Sequence, residues 1–195
     1  MRSELVVGGG CFWCLEAMFS ELDGVTSVES GYAGGELPNP SYKEVCGGKT
    51  GHAEVIKVSF DASRISRADL LRVFFVAHDP TQLNRQGNDI GHQYRSVVFF
   101  TDSAEFDEAR AVRDEVSELY EAPIVTTFEE LKNYSPAEDY HQGYFDRFET
   151  GNIVTRATMN AGYCSAVIAP KVAKFRKAFA EKLKKSHSEP ADLSN

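Results

Sequence analysis

Apolar spacing along the chain switches between the two periods that mark helices and strands. Leu5-Val6-Val7 is a short continuous apolar run and reads as a buried strand. Phe12, Leu15, Phe19 and Leu22 follow at helical intervals and form an amphipathic stripe that Asp23-Gly24 ends. Residues 25–32 are strand-like up to Gly31-Tyr32-Ala33-Gly34-Gly35, and a loop rich in proline and glycine runs from there to residue 52. Residues 53–61 make the clearest strand. Its period of two sets Glu54, Ile56, Val58 and Phe60 on one face and Val55, Lys57 and Ser59 on the other. Ser66 to Asp69 resembles a capping box ahead of Leu70, Leu71, Phe74 and Phe75, and Asp79-Pro80 stops that helix. After a polar loop over 81–93, residues 94–101 alternate as a strand with Tyr94, Ser96, Val98 and Phe100 on one face. A helix carrying Phe106, Ala109, Val112, Val116 and Leu119 comes next, then a short strand at 124–127. Ser135-Pro136-Ala137-Glu138 reads as a helix start with proline at the first helical position, leading to His141, Tyr144, Phe145 and Phe148. Residues 154–165 read as irregular, and Pro170 opens a last helix with Phe175, Phe179 and Leu183.

The first six elements run strand, helix, strand, strand, helix, strand. That order predicts an α+β fold: a two-layer ferredoxin-like (split βαβ) core with a mixed sheet, extra helices and long wrapping loops. The chain reads as one catalytic domain over residues 1–185 with a disordered tail at 186–195, where Lys185-Ser186-His187-Ser188-Glu189-Pro190 lacks any apolar period.

Charge and cysteine content narrow the function. Twenty-nine acidic against 21 basic residues leave a formal charge of -8, which argues against nucleic acid or an anionic membrane as partner. No run is long and apolar enough for a membrane span or a signal peptide, so a cytoplasmic location is expected. In that reducing setting the four cysteines point to redox, catalytic or metal chemistry rather than a disulfide framework.

The chemistry centres on Gly8-Gly9-Gly10-Cys11-Phe12-Trp13-Cys14. A cysteine where a helix begins meets free backbone N–H groups and the positive end of the dipole, which lowers a thiol pKa and makes Cys11 a nucleophile. The C-x-x-C spacing admits three readings: a thioredoxin-like dithiol, a zinc site completed by Cys46 and His52 or Cys164, or a single nucleophile flanked by aromatics. Two large aromatics between the cysteines weigh against the first. The lack of a second ligand pair at zinc spacing weighs against the second. Glu54 ends an apolar strand row, either because the strand emerges into solvent there or because it is a buried carboxyl with a raised pKa, a proton donor near neutrality.

Five motifs, Gly10-Cys11-Phe12-Trp13-Cys14, Gly31-Tyr32-Ala33-Gly34-Gly35, Thr50-Gly51-His52-Ala53-Glu54-Val55, Asp89-Ile90-Gly91-His92-Gln93-Tyr94-Arg95-Ser96 and Tyr140-His141-Gln142, resemble in content and order those of peptide methionine sulfoxide reductase, type A. The resemblance implies that Cys11 attacks the sulfoxide sulfur and that Phe12 and Trp13 hold its S-methyl group. By the same resemblance Glu54 protonates the sulfoxide oxygen, Tyr32 and Tyr94 hydrogen-bond it, Asp89 lines the site and His141 stands near it. It further implies the S epimer of methionine sulfoxide, free or in oxidised proteins, as substrate, and thioredoxin as reductant. No metal or organic cofactor is expected, and a monomer is. The chemistry agrees, because oxygen leaves sulfur only when protonated and so needs an acid and hydrogen-bond donors around it.

Attack leaves Cys11 as a sulfenic acid, which condenses with a second thiol. Cys164, in Gly162-Tyr163-Cys164, resembles the family's resolving cysteine, although the glycine-rich stretch with a further cysteine that many members carry after it is replaced here by Ala166-Val167-Ile168-Ala169-Pro170-Lys171. Cys46 in the loop before Thr50 is a rival. Cys14 is a third, set three residues along the same helix, where a bridge needs the first turn to unwind. Outside the family, a thioredoxin-like disulfide oxidoreductase and a non-catalytic zinc-binding module remain as alternatives.

Overall fold

The computed structural model describes residues 2–185; the expected tail at 186–195 lies outside the described residues. Strand β1 (Arg2–Gly8) leads through helix α1 (Phe12–Phe19) to β2 (Val25–Ala33). A loop bearing the short helix α2 (Tyr42–Cys46) then enters β3 (Ala53–Asp61), from which α3 (Arg67–Ala77) leaves. A two-residue ribbon, β4 (Arg85–Gln86) with β5 (Asp89–Ile90), precedes β6 (Val97–Phe100) and α4 (Ser103–Val116). Beyond them lie β7 (Thr127–Glu130), β8 (Tyr134–Pro136), α5 (Tyr144–Thr150) and α6 (Ile153–Ala157). The last helical run is α7 (Ala161–Tyr163), a π-helical turn at Cys164–Ile168 and α8 (Ala169–Ala178).

The six-stranded sheet is ordered β7-β6-β1-β3-β2-β8. Its central four strands have the split βαβ arrangement that the element order implied: β3 lies antiparallel between β1 and β2, and β1 lies antiparallel to β6. The sheet is mixed because β7 joins β6 in parallel, while β8 closes the other edge antiparallel to β2. One core forms where Leu5, Val7, Ile56, Val58 and Phe60 meet Phe12, Leu15, Phe19, Leu70 and Phe74 from α1 and α3. On the opposite face Val6, Val55, Val97 and Phe99 pack beneath Leu131 and Tyr134. Strand β3 is therefore covered on both sides, and its polar Lys57 reaches out to Glu29 at 2.7 Å.

The structure corrects several expectations. Helix α1 ends at Phe19 rather than Asp23; Leu22 instead pairs as an antiparallel bridge with Leu183, which follows the 3-10 turn Ala180–Lys182 beyond α8 and is thereby clasped to the segment after α1. Tyr94 is not in β6 but in a 3-10 turn, His92–Tyr94, so its ring does not follow the alternation of Ser96, Val98 and Phe100. The extra strand begins at Thr127, past the expected 124–127. Ser135-Pro136 is not a helix start. Both residues belong to the edge strand β8, where Gly31 pairs with Pro136, and an edge tolerates a residue without N–H. His141 consequently lies in a 3-10 turn, Asp139–His141, separate from α5. Residues expected to be irregular between 154 and 165 include α6 and α7.

Candidate active site

The site forms at the mouth of α1, and backbone geometry brings it there. Gly10 has φ +92, which suits glycine, and a side chain on it would meet Gln86 Cβ at 2.6 Å. This turn sets Cys11 as the N-cap of α1, with φ -60 and ψ 124 and no side-chain capping bond. Glu54 points at the same spot from β3. Its Oε2 accepts the Phe12 backbone N–H at 3.1 Å, so a carboxylate oxygen takes one of the amides that a helix start leaves free.

Glu54 is 1% exposed. The solvent-exposed reading of this strand end is therefore excluded, and burial pushes its carboxyl up to about 8, with the charges of Asp89 and Cys14 adding and the Phe12 amide opposing. A group in that range holds its proton at neutrality and can give it away.

Cys11 departs from expectation. Burial raises its thiol well above the ordinary value, followed by the hydrogen bond and charge of Cys14 and the charge of Glu54; desolvation outweighs the helix mouth. Its partner moves the other way. The Cys14 thiol is lowered by the hydrogen bond from Cys11, against burial, and by the Lys171 ammonium. The two shifts are opposed, so of the two thiols Cys14 is the one that ionises more readily.

Around them stands an aromatic cage. Phe12 lies 5.8 Å from the Tyr32 ring and 6.2 Å from Trp13. Trp13 stacks on Tyr144 at 3.8 Å between centroids and meets Tyr163 edge-on at 5.9 Å. The Trp13 indole N–H donates to His141 Nδ1 at 3.1 Å, which requires the neutral imidazole with its proton on Nε2; burial lowers the His141 pKa in the same sense. Glu16, buried in α1, accepts the backbone N–H of Gly143 at 2.9 Å and so anchors the start of the helix that carries Tyr144.

The two tyrosines reach the site from different elements. Tyr32 pairs with Glu54 across β2 and β3 and is fully buried. Its O–H donates to Glu138 Oε2 at 2.9 Å, while Glu138 Oε1 accepts the Tyr42 backbone N–H at 2.8 Å. Burial and then Glu138 raise the Tyr32 phenol, so it stays a donor. Tyr94, half-buried, is raised by burial and by the charges of Glu54, Cys46, Asp89 and Cys11, which surround it. Asp89 Oδ2 accepts the Tyr163 O–H at 2.8 Å, and the Tyr163 hydroxyl beside Cys11 acts to lower that thiol against its burial.

All of the expected site residues on α1, β2, β3 and the 89–94 segment thus converge, together with His141. Three participants were not anticipated. Glu138 lies two residues before the Tyr140-His141-Gln142 motif, which could have flagged it. Tyr163 precedes Cys164 in a triplet singled out only for its cysteine. Lys171 had no signal at all. Of the other cysteines, Cys164 is fully buried in the π-helical turn and is raised by burial and by the charge of Cys14. Cys46 ends α2, exposed, with its thiol bonded to Tyr42. Among the described residues no group of three or more His, Cys, Asp or Glu side chains could hold a metal ion, and no helix is long and apolar enough to cross a membrane.

The family model for peptide methionine sulfoxide reductase matches residues 3–183. The chain is 50% identical over 175 residues, 90% of its length and 93% of the relative's, to the peptide methionine sulfoxide reductase MsrA of Erwinia tasmaniensis. Among solved structures it is similar to methionine sulfoxide reductase A of Corynebacterium diphtheriae, with a TM-score of 0.73, 34% identity and 77% of each chain covered. It is also similar to Mxr1 from Saccharomyces cerevisiae crystallised in complex with Trx2, with a TM-score of 0.51 and 25% identity over 73% of this chain and 84% of that one.

Proposed function

The chain belongs to the peptide methionine sulfoxide reductase family, type A, and from that premise we propose how its residues reduce a methyl sulfoxide. It is an oxidoreductase that returns methionine sulfoxide to methionine and is recycled by thioredoxin, the class of donor that Trx2 represents in the yeast complex. The observation that carries the mechanism is the buried Glu54 carboxyl, protonated at neutrality and bound to the amide next to Cys11.

The S-methyl group of the substrate sits against Phe12 and Trp13, the indole held by His141 and Tyr144. Binding displaces the Tyr163 hydroxyl from Cys11 and opens its bond to Asp89. Cys11 passes its proton to the Cys14 sulfur and attacks the sulfoxide sulfur. Glu54 gives its proton to the oxygen, and Tyr94 and Tyr32 hydrogen-bond it, Tyr32 after turning from Glu138. Oxygen then resides on Cys11 as a sulfenic acid and the sulfide is released. A second thiol condenses with that acid, expelling water, and the dithiol of thioredoxin reduces the bridge. Overall, one sulfoxide and two thiols become one sulfide, one disulfide and one water.

The S epimer, in oxidised proteins or as the free amino acid, is the substrate, and the protein works as a cytoplasmic monomer; the names of the MsrA relatives, peptide methionine sulfoxide reductases, support the substrate class. The test is chiral: each epimer of a methyl sulfoxide is offered with thioredoxin, thioredoxin reductase and NADPH. Loss of the S epimer alone is expected, abolished in Cys11→Ser. Consumption of the R epimer, or surviving activity in C11S, rejects the assignment.

A further inference from the structure

We infer that Glu138 is a positioning residue for sulfoxide recognition: its Oε2 accepts the Tyr32 hydroxyl in the free protein and passes to the His141 Nε2–H once Tyr32 turns to the sulfoxide oxygen. Engaging the oxygen and stiffening the wall against the methyl group then become one event. The inference rests on the sulfoxide reductase reading above.

The first observation is an orphaned donor. His141 is 1% exposed, and its Nδ1 accepts the Trp13 indole N–H at 3.1 Å, so its own proton sits on Nε2. That Nε2 is sealed from solvent and has no hydrogen-bond partner among the described residues. The rings of Tyr140, Tyr42, Phe12 and Trp13 stand around the imidazole, with centroids 4.1, 4.6, 5.1 and 5.5 Å away. A buried donor left unpaired costs free energy, which any acceptor brought to it recovers. Glu138 Oε2 lies 3.8 Å from Nε2, about 1 Å beyond a hydrogen bond.

The second observation is an acceptor with a fixed pivot. Glu138 Oε1 takes the Tyr42 backbone N–H at 2.8 Å, and Oε2 takes the Tyr32 O–H at 2.9 Å. Burial works to raise the Glu138 carboxyl, but the Tyr42 amide, its own amide and the Tyr32 hydroxyl outweigh it and hold the group below its ordinary range. The side chain is therefore a carboxylate and accepts at both oxygens. With Oε1 held by Tyr42, rotation about that bond carries Oε2 from one donor to the other.

Tyr32 cannot serve two acceptors. Its one hydroxyl proton goes either to Glu138 or to the sulfoxide oxygen. When it leaves, Oε2 has lost its donor and the Nε2–H is the orphan beside it. An ionised acceptor on one nitrogen of an imidazole makes the other nitrogen a better acceptor in turn. The Trp13 N–H is thus held more tightly at the moment the S-methyl group packs on the indole. A sulfide carries the same methyl group but has no oxygen to draw Tyr32 away, so Glu138 stays on Tyr32. The exchange therefore discriminates substrate from product.

The experiment uses the full-length Cys11→Ser protein, in which a sulfoxide binds without reacting, and follows the indole N–H of Trp13, the sole tryptophan, by proton–nitrogen NMR. Saturation with an N- and C-blocked methionine S-sulfoxide should move the indole proton downfield, and saturation with blocked methionine, the sulfide, should not reproduce that shift. Tyr32→Phe frees Oε2 beforehand, so its indole proton should already lie downfield without ligand. Glu138→Gln sets an amide N–H where Oε2 stood, so the sulfoxide shift should vanish. Affinity for the sulfoxide should fall about fivefold in that variant, with affinity for the sulfide unchanged. If E138Q does not fold, the Y32F spectrum and the contrast between sulfoxide and sulfide decide. Equal shifts with sulfoxide and sulfide, a Y32F resonance at the position of the free parent protein, or a full sulfoxide shift in E138Q overturns the inference. Failure of the enzyme with Cys11 intact to release sulfide from the sulfoxide rejects the reductase reading itself, which is a separate result.

Discussion

Glu54 and Phe12 are 42 residues apart, and one hydrogen bond joins them: the Phe12 N–H donates to Glu54 Oε2 at 3.1 Å. The bond ties β3 to the first amide of α1, and it fixes the proton donor and the nucleophile in one frame. It survives either protonation state, because an ionised or a neutral carboxyl can accept that N–H.

Glu54→Gln therefore keeps the acceptor and removes the proton. Release of methionine in a single turnover should fall by roughly 10²- to 10⁴-fold, with KM changed far less. In the wild type the rate should decline as pH rises through about 8, where the carboxyl ionises, and E54Q should lack that limb. Rapid-quench measurement of methionine against pH checks both.

Stability should respond to pH from two buried groups of opposite sign. Folding raises Glu54 from 4.5 to about 8, so its contribution is complete below 4.5 and is lost as pH rises through 8. Folding lowers His78 from 6.5 to about 4, so its contribution is complete above 6.5 and is lost as pH falls through 4. The cause at His78 is burial, which outweighs the opposing Nδ1–H donation to the Phe74 carbonyl at 2.7 Å and the charge of Asp79; Nε2 lies 2.7 Å from Ser96 Oγ. His78→Gln should remove an acid destabilisation on the order of 3 kcal/mol, and E54Q should flatten the decline between 4.5 and 8. Thermal midpoints over a pH series decide.

His141→Phe should loosen the methyl wall. Without an acceptor the buried indole N–H of Trp13 loses a bond worth about 1 kcal/mol, so KM for a methyl sulfoxide should rise about fivefold, and kcat should change less. Trp13 is the sole tryptophan, so its emission spectrum should shift in the variant, while His141→Gln, which can still accept, should recover part of both. An unaltered spectrum in H141F contradicts the contact.

Arg95→Met should cost about 2–3 kcal/mol. Arg95 is buried, and its guanidinium holds the two Glu129 oxygens at 3.0 and 3.1 Å, which joins β7 to the turn that carries Tyr94. Because Glu129 is partly exposed, the loss should stay below that of a fully buried pair. Urea unfolding measures it.

Strong periods made β1, α1 and β3 legible, since their apolar faces are long enough to declare a register. Short elements defeated the same reading. The alternation from Tyr94 to Phe100 ran on through a 3-10 turn because a four-residue strand is too brief to mark its own start. Ser135-Pro136 carried a local helix signal, and pairing with β2 overrode it. The Cys11 expectation came from the helix end alone, whereas desolvation depends on everything packed around the thiol. Glu54 succeeded because a carboxylate among Ile56, Val58 and Phe60 is odd at short range. Lys171 failed because its meaning lies entirely in a contact with a residue far along the chain.

Those separations have a consequence in time. Phe12 meets Glu54 across 42 residues, Tyr32 meets Glu138 across 106, Trp13 meets His141 across 128 and Cys14 meets Lys171 across 157. Contacts so distant along a chain form late in folding, after the intervening loops have closed. During synthesis Cys11 and Cys14 emerge well before the lysine that stands beside Cys14. The nascent chain thus carries two ordinary thiols, and the reactive pair is born only when the C-terminal helix docks.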